Sequence, residues 1–171
     1  MNNAQVPGRE REAELVRMME TYGGMLTGLC TGMLNDRHLA QDMVQEAFLK
    51  AWRHMDSLRG GPGSEKAWLC RIALNLCRDY QRTRWFRLVD SDDEKLAQLP
   101  APAEEAPADL LCAIQQLPPR FREVILLHYY QDMEAEEMAR ALGLSPSAVY
   151  RRLRKARGKL KQLLDGRDDD E

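Results

Sequence analysis

The sequence predicts an all-α protein: two small helical domains joined by an acidic flexible linker, the C-terminal one carrying a helix-turn-helix. Three observations carry that expectation. Apolar residues recur at three- and four-residue intervals in the segments before residue 88 and after residue 109, the repeat of helices with one buried face. Between these segments, residues 88–109 hold seven acidic side chains against Lys95 alone, with Pro100, Pro102 and Pro107 late in the stretch. Residues 134–164 have the spacing of two short helices around a tight turn.

A chain of 171 residues with 44% apolar content can build one core or two small ones. Its 25 basic and 27 acidic residues sum to −2, and that near-neutral total hides strong segregation along the chain. No apolar run approaches a membrane span, and the opening residues, Met1 to Arg9, lack the apolar core of a signal peptide, so a cytoplasmic protein without membrane insertion is expected. Cys30, Cys70, Cys77 and Cys112 form no C-x-x-C pair and read as buried free thiols. His38, His54 and His128 are scattered, no metal-ligand cluster emerges, and no cofactor is expected.

In chain order, the first helix spans residues 9–34, with apolar positions at 15, 18, 19, 22, 25, 26, 29 and 33 and an opening for a bend or break at Gly23-Gly24. Asn35 or Asp36 caps the second helix, which runs to about His54. Ala40, Met43, Val44, Ala47, Phe48 and Ala51 form its core face. Asp42, Gln45, Glu46 and Leu49 share another face, spanning about 100° at 100° per residue. Leu49 amid polar neighbours reads either as an incidental exposed leucine or as the apolar centre of a docking surface with a polar rim.

Residues 58–64 are a glycine-rich loop without the lysine of a phosphate-cradling loop. A helix follows from Ser64 to about Trp85, with Leu69, Ile72, Ala73, Leu76 and Tyr80 as its buried stripe. Arg71, Asn75, Arg78 and Arg82 form a narrow outer stripe, with Arg84, Trp85, Phe86 and Arg87 beyond. That mixture suits a nucleic-acid backbone and unstacked bases. It equally suits an arginine-laced surface helix whose Trp68 and Trp85 belong to the core.

After the linker, residues 110–117 and 121–130 read as helices separated by Pro118-Pro119. In the helix-turn-helix, Ala139 lets a second helix cross closely, and Gly143 takes the positive φ of the turn. Ser145 and Pro146 have the order of an N-cap and a first-turn proline. Val149, Leu153, Ala156 and Leu160 face inward; Ser147, Tyr150, Arg151, Arg154 and Lys155 lie opposite. Residues 139–164 carry eight basic side chains and no acidic one. A charged surface helix would normally mix both signs, so this face points to a DNA major groove. Residues 165–171 read as a frayed acidic tail.

Together these pieces resemble the sigma-70 family of bacterial RNA polymerase sigma factors, in the two-domain form of the extracytoplasmic-function (ECF) group. The resemblance runs from about Arg11 to Leu164. It rests on Ala40-Gln41-Asp42-Met43-Val44-Gln45-Glu46-Ala47-Phe48-Leu49, on Trp68 to Asn75 followed by Arg78-Asp79 and Arg82, on Leu117 to Val124, and on Glu137-Met138-Ala139 with Val149 to Arg157. It implies a region 2-like domain over residues 9–87, a linker over 88–108 and a region 4-like domain over 109–165. It further implies that Asp42, Gln45, Glu46 and Leu49 bind core RNA polymerase, and that Lys66, Arg71, Asn75, Arg78 and Arg82, with the loop from Arg59, handle the opened −10 region. Ser147, Tyr150, Arg151, Arg154 and Lys155 would meet the −35 duplex. The implied partners are core polymerase, promoter DNA and an anti-sigma factor, and no catalysis is implied. A stand-alone helix-turn-helix regulator would lack use for the Asp42–Leu49 patch. A nucleic-acid enzyme would need a catalytic cluster that the sequence does not offer, and an adaptor would not need the arginine-rich face.

Overall fold

The structure, a computed structural model, describes residues 8–58, 64–90 and 108–168. Each regular element in these segments is helical: α1 (Gly8–Leu34), α2 (Arg37–Arg53), a 3-10 turn (Met55–Ser57), α3 (Ser64–Asp90), α4 (Ala108–Gln116), α5 (Pro119–Ile125), a π-turn (Leu126–Tyr130), α6 (Ala135–Leu142) and α7 (Pro146–Asp168).

Helix α1 passes unbroken through Gly23-Gly24. Each glycine weakens a helix interior by roughly 0.5–1 kcal/mol. Leu26, Leu29, Cys30 and Met33 lie just beyond and are fully buried, so tertiary packing holds the helix together. Asn35 then turns the chain at φ 53°, and its N–H donates to the Thr31 carbonyl at 2.7 Å. Asp36 caps α2 by accepting from the Leu39 N–H at 3.0 Å. This two-residue connection folds α2 back on α1.

The first core joins Met18, Leu26, Leu29, Cys30 and Met33 of α1 to Ala40, Val44, Ala47, Phe48 and Ala51 of α2 and to Ala67, Leu69, Cys70, Ala73, Leu74 and Cys77 of α3. Alanines and thiols at these positions let the three axes approach closely. The cysteines are free. Burial pushes the Cys70 thiol up to about 12. The Cys30 thiol is raised by its hydrogen bond with Cys77 and then by burial. Both are packing groups rather than nucleophiles. Trp68 packs against this core, whereas Trp85 is 64% exposed on an α3 that outruns its expected end by five residues.

In the C-terminal unit, Arg122 donates to the carbonyls of Ile114 (3.3 Å), Gln115 (2.7 Å) and Leu117 (3.0 Å) at the end of α4, where the Ile114 carbonyl also accepts from the Leu117 N–H at 3.1 Å. A proline at the start of α5 suits the first helical turn. Gly143 closes α6 at φ 66°, with the Leu144 N–H on the Ala139 carbonyl at 3.0 Å. Ser145 Oγ accepts from the Ala148 N–H at 3.2 Å, so the N-cap and first-turn proline stand where the sequence places them. Helix α7 continues to Asp168, through most of the segment expected to fray. Val149 and Ala156 are fully buried and Leu153 nearly so.

The two units share one continuous core. Helix α3 packs on α6, and α1 meets α5 and the π-turn. Gln115 Nε2 donates to the Gly32 carbonyl at 2.7 Å, Gln131 Nε2 to that of Met25 at 3.3 Å, and Arg122 Nη1 to that of Met33 at 2.8 Å. The approach is close at Gly32: a Cβ there would stand 2.8 and 2.9 Å from the two Leu126 methyls, so that side chain would have to shift.

Candidate nucleic-acid interface

Helix α7 sorts its side chains as its periodicity demands. While Val149, Leu153 and Ala156 fill the core, Ser147, Tyr150, Arg151, Arg154 and Lys155 are exposed, Tyr150 by 59%. Arg151 and Lys155 line a depression of about 290 Å³ with Arg152, Ala148, Phe121 and Arg120. Four cations thus converge on one concave surface, a geometry that favours phosphate. The Arg120 guanidinium rests 4.7 Å from the Phe121 ring centre, and Lys159 Nζ lies 5.6 Å from the same centre. Arg157 is differently committed. Its Nε donates to the Tyr129 hydroxyl at 2.5 Å.

The sequence reading of this face omitted Arg120 and Arg152. Arg152 was within reach, as one of the eight basic residues of 139–164. Arg120 was not, because it arrives from the start of α5 and no period along α7 reveals it.

On α3, Arg71, Asn75 and Arg82 are exposed. Arg82 Nη2 donates to Asp79 Oδ1 at 3.0 Å. Arg78 is held more firmly. Its Nε and Nη2 donate to the two carboxylate oxygens of Glu123 at 2.6 and 2.8 Å, and its Nη1 to Asn75 Oδ1 at 3.0 Å. The Glu123 hydrogen bonds hold the Arg78 guanidinium above its ordinary pKa. Lys66 Nζ donates to the Gln131 carbonyl at 2.8 Å. Arg71 lies beside the helix-turn-helix, lining a depression with Glu136, Arg140 and Gly143. The stripe therefore forms on α3, but Lys66 and Arg78 are engaged by the C-terminal unit. Residues 59–63 of the loop lie outside the described residues. The start of α3 is tied to α1 by Glu65, which accepts from the Tyr22 hydroxyl at 3.0 Å and from Arg17.

On α2, Leu49 is 49% exposed, Asp42 and Gln45 are exposed and Glu46 is half-buried. Leu49 is not core, and the face it shares with Asp42 and Gln45 points away from buried Ala40, Val44 and Ala47. Among the described residues, no cluster of three metal-ligating side chains occurs and no helix is long and apolar enough to cross a membrane.

Comparison with known proteins matches residues 18–87 to the family model for sigma-70 region 2 and residues 108–160 to that for sigma-70 region 4. The chain is 30% identical over 145 residues to the ECF RNA polymerase sigma factor SigM of Bacillus subtilis, covering 81% of this chain and 88% of that protein. It is 38% identical over 137 residues to the RNA polymerase sigma factor NccH of Alcaligenes xylosoxydans, covering 72% of each. A third relative, a probable sigma factor RfaY of Xanthomonas campestris, is 32% identical over 90% of this chain, which spans only 41% of that protein's length. Among solved structures, the Bartonella quintana sigma factor RpoE, in complex with the anti-sigma factor NepR, superposes with a TM-score of 0.72 at 26% identity, covering 89% of this chain and 97% of that one. CnrH, in complex with the cytosolic domain of CnrY, gives 0.67 at 28% identity, covering 91% and 90%. With both regions matched in order, and relatives of this identity covered over most of their length, the chain belongs to the sigma-70 family of RNA polymerase sigma factors, in its ECF group.

Proposed function

We propose that this chain binds core RNA polymerase and directs it to promoters with −10 and −35 elements, helping to open the −10 region. The observation that carries the reading is the exposed, acid-free face of α7, presented by a capped helix-turn-helix within a region 4 match. Division of labour follows the elements. Residues 109–165 grip the −35 duplex through Ser147, Tyr150, Arg151, Arg154 and Lys155. Residues 9–87 hold the polymerase through Asp42, Gln45, Glu46 and Leu49, and the opened −10 strand through Lys66, Arg71, Asn75, Arg78 and Arg82. Residues 88–108 join them. Extruding a −10 base costs a few kcal/mol of unstacking, which contacts along the α3 stripe would offset. The protein acts in the cytoplasm, as a binding subunit and not as a catalyst. An anti-sigma factor is the proposed regulatory partner, as in the complex of the Bartonella relative.

The polymerase face is tested by Leu49→Asp and Glu46→Lys, assayed by co-purification with core polymerase and by thermal unfolding. Both substitutions should abolish co-purification, and Leu49→Asp should leave Tm close to the parent value, because Leu49 does not point into the core. A sharply lowered Tm for Leu49→Asp would make this face structural and remove the docking assignment.

A further inference from the structure

One side chain on the outward face of α7 differs in kind from its neighbours. Tyr150 is 59% exposed, and its side chain makes no hydrogen bond or ring contact with any of the described residues. Tyr129 is committed by contrast: its hydroxyl accepts from Arg157, and its ring meets that of His128 edge-on at 4.8 Å. Position around the helix separates Tyr150 from the cations. At about 100° per residue, Ala148, Arg151, Arg152 and Lys155, which line the depression with Arg120, form one flank. Ser147 and Arg154 come next, at the front of the helix, and Tyr150 lies beyond them, about 150° from the middle of the cationic flank. Tyr150 accordingly takes no part in lining the depression. It stands in the second turn of α7, near the capped end, and the N-terminal residues of a recognition helix are those that meet base edges. A tyrosine ring offers a phosphate little. It suits the C5 methyl of thymine, the one apolar group that the bases display in the major groove.

We propose that Tyr150 selects a thymine in the −35 duplex by packing its ring on the C5 methyl, on the side of α7 away from the phosphate-gripping cations. The proposal rests on the −35 assignment of α7 and deepens it, by naming the chemical group that one position of the element must carry. Discrimination there comes from apolar contact rather than from a hydrogen-bond pattern. Ring surface that the free protein leaves in water is covered only when the methyl is present. The cationic flank holds the backbone whatever the sequence, so the two flanks of one helix divide grip from selection.

The test removes the methyl and nothing else. The full chain, assembled with core polymerase, first selects its preferred −35 element from promoter-length duplexes randomised in that region. Each thymine of the element is then replaced in turn by deoxyuridine, which lacks the methyl and keeps every hydrogen-bonding group. Affinities are measured for the parent, Tyr150→Phe and Tyr150→Ala; the side chain lies outside the core, so both variants should keep the parent's Tm. At one position the parent should bind deoxyuridine about fourfold more weakly than thymine, the factor for one buried methyl-sized group. Tyr150→Phe should keep that loss, and Tyr150→Ala should bind the two duplexes alike. An element in which no thymine shows a methyl effect, or a methyl effect that survives in Tyr150→Ala, would overturn the proposal. So would equal weakening of Tyr150→Phe and Tyr150→Ala on both duplexes, which would make the hydroxyl a backbone grip. Failure of the −35 assignment itself looks different: no preferred element emerges from the selection, and Arg154→Ala binds every duplex as the parent does.

Discussion

At the scale of single residues, the cations of the C-terminal unit divide by what they can reach. Arg151 and Arg154 stand exposed on the outer face of α7, where a guanidinium fork can meet a guanine edge. Arg154→Ala should weaken binding to the preferred −35 duplex by about 1–3 kcal/mol and relax preference at one base pair, read by titrating base-substituted duplexes. Lys155→Ala and Arg120→Ala should lower affinity evenly across sequences and make the salt dependence shallower by about one counterion each. A sequence-selective loss from Arg120→Ala would move that residue from backbone grip to base reading. The inward and outward sets of α7 were legible in the sequence because one helix imposes one period. The Arg78–Glu123 pair was not, because its members are 45 residues apart on different elements and only tertiary packing brings them together.

At the scale of elements, turn and cap chemistry translated directly. Asp36, Gly143, Ser145 and Pro146 each do locally what their residue type favours, with bonds that span no more than five residues. Where packing competes with propensity, the sequence misleads. Gly23-Gly24 offers a break that buried neighbours override, and Trp85 looks like a core residue but stands exposed on an extended α3. The helix-turn-helix geometry has its own test. Gly143→Ala places a Cβ at φ 66°, within 3.5 Å of Arg71 Nη2. It should destabilise the fold by about 1–2 kcal/mol, measured by urea unfolding, since a left-handed conformation disfavours L-residues by that amount. An unchanged midpoint would mean that the turn relaxes without strain.

At the scale of the whole molecule, the sequence marks two helical regions and an acidic stretch between them, and a formal charge of −2 that conceals a basic recognition face. How the two units meet depends on individual contacts such as Gln115 to Gly32 and Lys66 to Gln131, for which no periodicity exists. Promoter direction, the function proposed for this chain, needs both units. The measurement that bears most directly on it is transcription from fragmented genomic DNA by purified core polymerase, with start sites mapped with and without this chain. Adding the chain should create a discrete set of start sites preceded by two shared sequence elements at constant spacing, and Leu49→Asp should erase that set. A start-site profile identical to that of core polymerase alone would contradict the promoter-directing role.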